Sequence, residues 1–228
     1  MNKKFIKGED VWDNYWKRKE TKIQAVIYRN IASFYRKFVI KRVLNKIIEE
    51  EFKKRSKLLH AGSGTGEVDK DLIQKYDITA LDISKEALKL YKFNNGDKAR
   101  LIRASIFDIP IKSSTFSGVY NLGVMEHFTK EDDIKILKEL RRVLKKNGKI
   151  ILFWPPKFGI SVIILNSTHF ILNNILKRTV RLHPEEISLI QSKRQVNEIL
   201  KTSGFKLKKF YFGPMDFFTH CIIVAKKT

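Results

Sequence analysis

The chain has 228 residues, enough for one domain with a substantial core, and a hydrophobic content of 43% excludes a disordered chain. Lysine and arginine number 46 against 24 acidic residues, a formal charge of +22 that suits contact with polyanions or, equally, a solvated lysine-rich surface. The single Cys221 excludes an internal disulfide and a cysteine-based metal cluster, and Met1 to Asp10 lacks the apolar run of a signal peptide, so the expected compartment is the cytoplasm.

From Val11 to Tyr28 the aromatic residues Trp12, Tyr15, Trp16 and Tyr28 stand among many basic ones. Ile31, Phe34, Tyr35, Phe38, Val39, Val43 and Ile47 then recur at helical spacing, which predicts a long amphipathic helix with its basic residues outward. The run Glu49 to Lys57 reads as the solvated end of that helix and a linker. Residues 1–56 are therefore an expected helical extension, and 57–228 the main domain.

The informative stretch follows: a short apolar run from Leu58 enters Ala61-Gly62-Ser63-Gly64-Thr65-Gly66, and Val68, Leu72 and Ile73 continue at helical spacing. This predicts strand, tight turn and helix. Glycine can take positive φ and has no Cβ, so the backbone can lie against a ligand, and a helix start offers free N–H groups. Ile78 to Leu81 predicts a second strand ending at Asp82, with Ile83 and Ser84 behind it. An acid some 20 residues after the first glycine, at a strand tip, is placed to accept ribose hydroxyls. The site therefore calls for a nucleoside. Gly62, Gly64 and Gly66 form G-x-G-x-G, whereas the dinucleotide fingerprint is G-x-G-x-x-G, which disfavours an NAD-dependent oxidoreductase.

His60 to Glu67 resembles the first motif of the class I S-adenosylmethionine-dependent methyltransferases. The resemblance extends over Lys57 to Lys226. It implies an α/β, Rossmann-like doubly wound sheet of seven strands, mostly parallel, with an antiparallel C-terminal strand. It also implies S-adenosylmethionine as cofactor and S-adenosylhomocysteine as product. Within it, Ala61, Gly62, Ser63, Gly64 and Gly66 would pass the methionine part and Asp82 with Ile83 would hold the ribose. In members of this type an N-terminal extension often closes over the cofactor, so Tyr15 and its neighbours would line the pocket or simply anchor the extension.

Ser84 is positioned to cap a helix running to Tyr91. Ala99 to Ser105 predicts the third strand, followed by Ile106-Phe107-Asp108-Ile109-Pro110. The family commonly has an acid here that bonds the adenine amino group. This chain departs from that pattern by placing Ser105 there, with Ile106 beside the ring, and a neutral acceptor binds more weakly than a carboxylate. The departure leaves room for a binding protein that has lost turnover. Val119 to Phe128 resembles the fourth strand and the Gly-Val-x-Glu-His loop of small-molecule methyltransferases. Asn121, Gly123, Glu126 and His127 would then face the cofactor, Asn121 with Gly123 on its sulfonium side, and His127 and Glu126 are the candidate catalytic residues. His127 has the chemistry of a general base and equally that of a loop-holding hydrogen-bond partner.

A further helix through Ile134, Leu137, Leu140, Val143 and Leu144 ends in a turn at Asn147-Gly148, and Lys149 to Trp154 predicts strand five. Pro155-Pro156 lies after strand five, so comparison with the Asn-Pro-Pro-Tyr motif of adenine-N6 methyltransferases fails on position. Phe158 to Arg181 is apolar but interrupted by Asn166, Ser167, Thr168 and His169, too polar for a confident membrane span. Three readings of this insertion (about 158–182) stay open: a lid over an apolar substrate, a segment on a membrane surface, or a dimer interface. His183 to Leu200 predicts a further helical region. Strand six is expected over Lys206 to Phe212 and strand seven over Phe217 to Ala225, with Cys221 inert within it. No metal-ligand spacing is visible. The expected function is methyl transfer to a small-molecule or lipid-like acceptor; RNA, suggested by the charge, and a non-catalytic scaffold are the alternatives. Peripheral membrane contact, RNA contact and a homodimer are the candidate partnerships.

Overall fold

The structure, a computed structural model, describes residues 8–17, 30–160, 162–164, 167 and 186–228. The central part of the expected insertion and the stretch His183 to Glu185 lie outside the described residues.

The strands are β1 (Lys57–Ala61), β2 (Asp77–Asp82), β3 (Arg100–Arg103), β4 (Phe116–Leu122), β5 (Leu144–Trp154), β6 (Phe205–Tyr211) and β7 (Cys221–Lys227), the central ones built on short apolar runs and the edge strand β6 rich in lysine. They form one sheet in the order β3-β2-β1-β4-β5-β7-β6. All neighbours pair in parallel except β7, which runs antiparallel to both β5 and β6. This is the expected Rossmann-like sheet. In β1 the residues Leu58 to Ala61 are buried on both faces, as a parallel strand between helical layers requires.

Helices cover the two faces. On one side α2 (Lys41–Glu51) buries Val43, Leu44, Ile47 and Ile48 against Leu58, Ile78, Tyr120 and Ile151. This helix thus packs on the sheet immediately before β1. On the other side α4 (Lys130–Val143) and α5 (Lys193–Thr202) bury Ile136, Leu140, Val196 and Ile199 against Leu59, Val119 and Leu152. Between β2 and β3 lies α3 (Lys85–Asn95), whose Ser84 cap accepts the Ala87 amide as expected. A separate short helix, α1 (Glu9–Lys17), lies over the carboxyl ends of the strands, as its contacts below show.

The structure corrects several expectations. No α-helix follows the glycine turn: Glu67–Asp71 are turns and Leu72–Gln74 a single 3₁₀ turn. Val68, Leu72 and Ile73 are buried as expected, but hydrogen bonds to Asp69 pull the chain tight there. Strand three is shorter and leaves Ser105 outside it, whereas strand five starts earlier, at Leu144. Strand seven begins only at Cys221, because Phe217 and Phe218 both occupy left-handed backbone. In the long N-terminal helix, Ile31, Phe34 and Phe38 are exposed instead of buried. A π-type turn at Arg36–Ile40 adds a residue to one turn, so the apolar stripe before it no longer lines up with the one after it.

Candidate active site

In a doubly wound sheet the crevice for ligands opens outside the carboxyl ends of the strands, where the strand order reverses. Here that reversal falls between β1 and β4. The turn after β1 has φ of +74°, +51° and +64° at Gly62, Gly64 and Gly66, the left-handed region that glycine enters without strain. Its amides are used internally. Gly62 and Ser63 both donate to the Leu81 carbonyl, Gly66 to the Ser63 carbonyl, and Gly64 to Asp82 Oδ2 at 2.8 Å. With no helix behind it, the turn therefore offers a ligand mainly its Cα surface rather than a fan of N–H groups. A Cβ at Gly66 would overlap the Tyr91 ring and lie 2.5 Å from Asn95 Nδ2, so packing excludes any side chain there.

A buried polar network holds the turn from beneath. Asp69, fully buried, receives the hydroxyls of Tyr91 (2.7 Å) and Tyr120 (2.8 Å) and lies 2.7 Å from His60 Nδ1. Its own amide donates to the Gly66 carbonyl at 3.0 Å. Burial, followed by the Asp69 charge, pushes both phenols up, so they stay protonated donors. Asn94 and Asn95 donate to the carbonyls of Thr65 and Gly66. Nothing in the local sequence announced this network, because its members are brought together from β1, β4, α3 and the turn.

Asp82 accepts the Ser84 amide at 2.9 Å as well as the Gly64 amide. Burial pushes its carboxyl above the usual aspartate value, and the two amides pull the other way. It thus ties the tip of β2 to the glycine turn. Ile83 is half-buried beside it, and Ile106 is buried one loop further on. Ser105 Oγ accepts the Phe107 amide at 3.2 Å, which makes it a turn-forming residue in its own loop.

Over this edge lies α1. The Trp16 ring is 3.2 Å from where a Gly64 Cβ would stand, so the ring lies directly over the turn and a side chain there would have to push it aside. Asp13 Oδ1 accepts the Ser84 hydroxyl (2.5 Å) and the Glu86 amide, while Glu9 pairs with Arg103. Tyr15 packs edge-on between Trp12 and Trp16, with ring centroids 5.8 and 4.8 Å away. The helix therefore roofs the glycine turn with aromatic rings, and its acids fasten it to the tips of β2 and β3.

The loop after β4 completes the arrangement. Asn121, fully buried, donates to the Ala61 carbonyl at 2.7 Å and so bolts β4 to the end of β1. Gly123 has φ of +66°, and Val124 packs so closely on Gly62 that a Cβ there would collide with it. Glu126 is buried, and its Oε2 has no hydrogen-bond partner. Burial pushes its carboxyl up to about 8, with the charges of Glu186 and Asp133 adding to the shift. His127 Nε2 lies 3.9 Å from Glu126 Oε1, and its ring meets Trp12 edge-on at 5.0 Å. Asp133, also pushed by burial to about 8, accepts the Ser188 hydroxyl. Farther along the edge, buried Asp216 accepts His220 Nδ1 at 3.0 Å, and Tyr35 donates to the Asp216 carbonyl. These acids and His220 were not singled out from the sequence, because their spacing carries no motif. Among the described residues, no group of three His, Cys, Asp or Glu side chains is arranged to hold a metal ion.

The edge thus joins the glycine turn and the tips of β1 to β3 to a polar loop after β4, with buried, unpartnered oxygens at Ser63 Oγ, Asn121 Oδ1 and Glu126 Oε2. Buried acceptors of this kind are ordinarily satisfied by a donor, which suits a ligand carrying hydroxyl or ammonium groups. Sheet order, glycine turn and strand-tip acid are those of the class I S-adenosylmethionine-dependent methyltransferase fold. Residues 59–152 match the family model described as a methyltransferase domain. An uncharacterized protein of Methanocaldococcus jannaschii is 32% identical over 148 residues, 63% of this chain and 57% of that relative, so the match spans little more than half of the relative's length. Magnesium protoporphyrin IX methyltransferase of Synechocystis PCC 6803, solved with S-adenosylhomocysteine, shares the fold with a TM-score of 0.64. It is 17% identical, over 97% of this chain and 94% of that one. A Thermotoga maritima methyltransferase described as a possible histamine N-methyltransferase has a TM-score of 0.65 at 14% identity, over 90% of this chain and 97% of that one.

Proposed function

We propose that this protein transfers the methyl group of S-adenosylmethionine to a nucleophilic atom of a small-molecule acceptor. The observation that carries the reading is the left-handed glycine turn, locked to Asp82 and roofed by Trp16, at the switch point of a methyltransferase-type sheet. The bound cofactor supplies an already electrophilic methyl group, so the chain's task is alignment and exclusion of water. Gly62, Ser63, Gly64 and Gly66 pass the methionine part and Asp82 holds the ribose. Ile83 and Ile106 flank the adenine with Ser105, while Tyr15 and Trp16 close the roof. Asn121 and Gly123 border the reacting end.

Glu126 is the residue we assign to the acceptor's proton. A carboxyl pushed to about 8 titrates near physiological pH, which is where a general base is most effective. His127, held against Trp12, orients the loop. A small-molecule acceptor is supported by the solved relatives named for magnesium protoporphyrin IX and histamine.

The test is calorimetric titration with S-adenosylmethionine and S-adenosylhomocysteine, with NAD as control. Micromolar binding of both, lost in Asp82→Ala and weakened in Trp16→Ala, is the expected result, to be followed by a labelled-methyl screen of metabolite fractions. Absence of binding to either ligand, or a preference for NAD, refutes the proposal.

A further inference from the structure

Three stretches of this chain expose large apolar side chains, and hydrogen bonds and ring contacts join them into one face. The first is the helical run before the π-type turn, where Ile31, Phe34 and Phe38 are 64%, 63% and 52% exposed and the two phenyl rings lie 4.5 Å apart. The second is the turn before β7, where Phe217 is 60% exposed. The third is the start of the insertion, where Phe158 and Ile163 are about half exposed. Tyr35 joins the first stretch to the second by donating to the Asp216 carbonyl at 2.6 Å. The Ile160 amide, donating to the Phe218 carbonyl at 3.0 Å, joins the second to the third, and Phe212 packs edge-on against both Phe158 and Phe218.

The backbone at this face is strained in a telling way. Phe217 and Phe218 have φ of +56° and +57°, a conformation that bulky residues rarely adopt and that glycine or asparagine would take more easily. Two consecutive phenylalanines are nevertheless held there with their rings partly in solvent. Folding alone does not call for that choice.

We propose that this face docks on the surface of an anionic lipid bilayer. Its composition fits insertion at the headgroup boundary, with apolar side chains in the centre and cations around them. The outward stripe of the helix passes from Phe34 and Phe38 to exposed Arg42 and Lys46, and exposed Lys157 adjoins Phe158. A chain of charge +22 is drawn to a negative surface and repelled from a second copy of itself, which argues against a dimer as the occupant. A nucleic-acid surface would want cations interleaved among stacking rings, whereas Ile31, Ile160 and Ile163 offer no face for a base. Among the described residues no helix is long and apolar enough to cross a membrane, and the docking proposed is peripheral.

The test uses the full chain with vesicles of phosphatidylcholine alone and of phosphatidylcholine mixed with phosphatidylglycerol, read by co-sedimentation. One variant combines Phe34→Gln with Phe38→Gln, which preserves helix propensity. A second, Phe217→Asn, suits left-handed backbone, so circular dichroism should show both folded. The expected result is binding to the anionic vesicles only, weakened about tenfold or more in each variant. No binding to anionic vesicles overturns the proposal. So does binding that both variants retain, which would make it general electrostatics. Preference for single-stranded RNA in competition, or a dimer by light scattering that Phe34→Gln dissociates, would assign the face to another occupant. Vesicle binding needs no cofactor, so this outcome is independent of the methyltransferase reading.

Discussion

Replacing Asp69 by asparagine puts the support beneath the glycine turn to a quantitative test. Oδ1 would still accept the Tyr120 hydroxyl, but the new NH₂ group would face two groups that the Asp69 Oδ2 now satisfies, Tyr91 Oη and His60 Nδ1, each 2.7 Å away. A hydrogen bond to a charged group contributes about 1.5–3 kcal/mol, and stranded buried donors cost a similar amount. Losing two of three therefore predicts a destabilisation of about 3–6 kcal/mol, a large share of the roughly 5–15 kcal/mol that holds a domain folded. Tyr120→Phe removes one donor and should cost about 1.5–3 kcal/mol. The assay is urea unfolding followed by circular dichroism, repeated with saturating S-adenosylhomocysteine. Because the side-chain bonds fix the position from which the Asp69 amide reaches the Gly66 carbonyl, the ligand should stabilise Asp69→Asn less than wild type. An Asp69→Asn midpoint within about 1 kcal/mol of wild type, or a Tyr120→Phe cost equal to that of Asp69→Asn, would refute the reasoning.

Gly66→Ala should destabilise by about 2–4 kcal/mol in the same assay, since it adds left-handed strain to a collision with the buried Tyr91 ring; a neutral effect would mean that the ring yields. Glu126 and Asp133, both raised to about 8 in the folded chain, keep protons that the unfolded chain releases near pH 4. Their contribution is thus fully present at low pH and lost as pH rises through about 8, so the urea midpoint should fall between pH 5.5 and 8.5, and less steeply in Glu126→Gln. A midpoint that rises over that window contradicts the assignment. Asp13→Ala removes the acceptor of the Ser84 hydroxyl and the Glu86 amide, and should speed proteolysis within α1 while changing global stability by less than about 1 kcal/mol. Unchanged proteolysis would show that the roof is held by its rings alone.

The parts of the site that could be read in advance are those built within a few residues of one another. Three alternating glycines after an apolar run permit few backbone paths, and the acid at the tip of the next strand lies where the Gly64 amide needs an acceptor. The alternation of short branched strands with helical periods likewise implies a parallel sheet. What escaped were groups joined across the fold. Asp69 meets residues 9, 22 and 51 positions away, and Asp133 meets Ser188 55 positions on. The helix expected after the turn is absent because those contacts draw Asp69 inward.

By itself, then, the sequence determined the sheet class, the glycine turn and the strand end at Asp82, since steric limits on φ and the burial of apolar runs act locally. Only the tertiary structure decided that α1 roofs the site, that Glu126 is a buried acid with an unpartnered oxygen, and that a π-type turn directs Phe34 and Phe38 outward. Those outcomes depend on which distant elements pack together, because burial shifts a carboxyl and register places a ring only after the neighbours are in place.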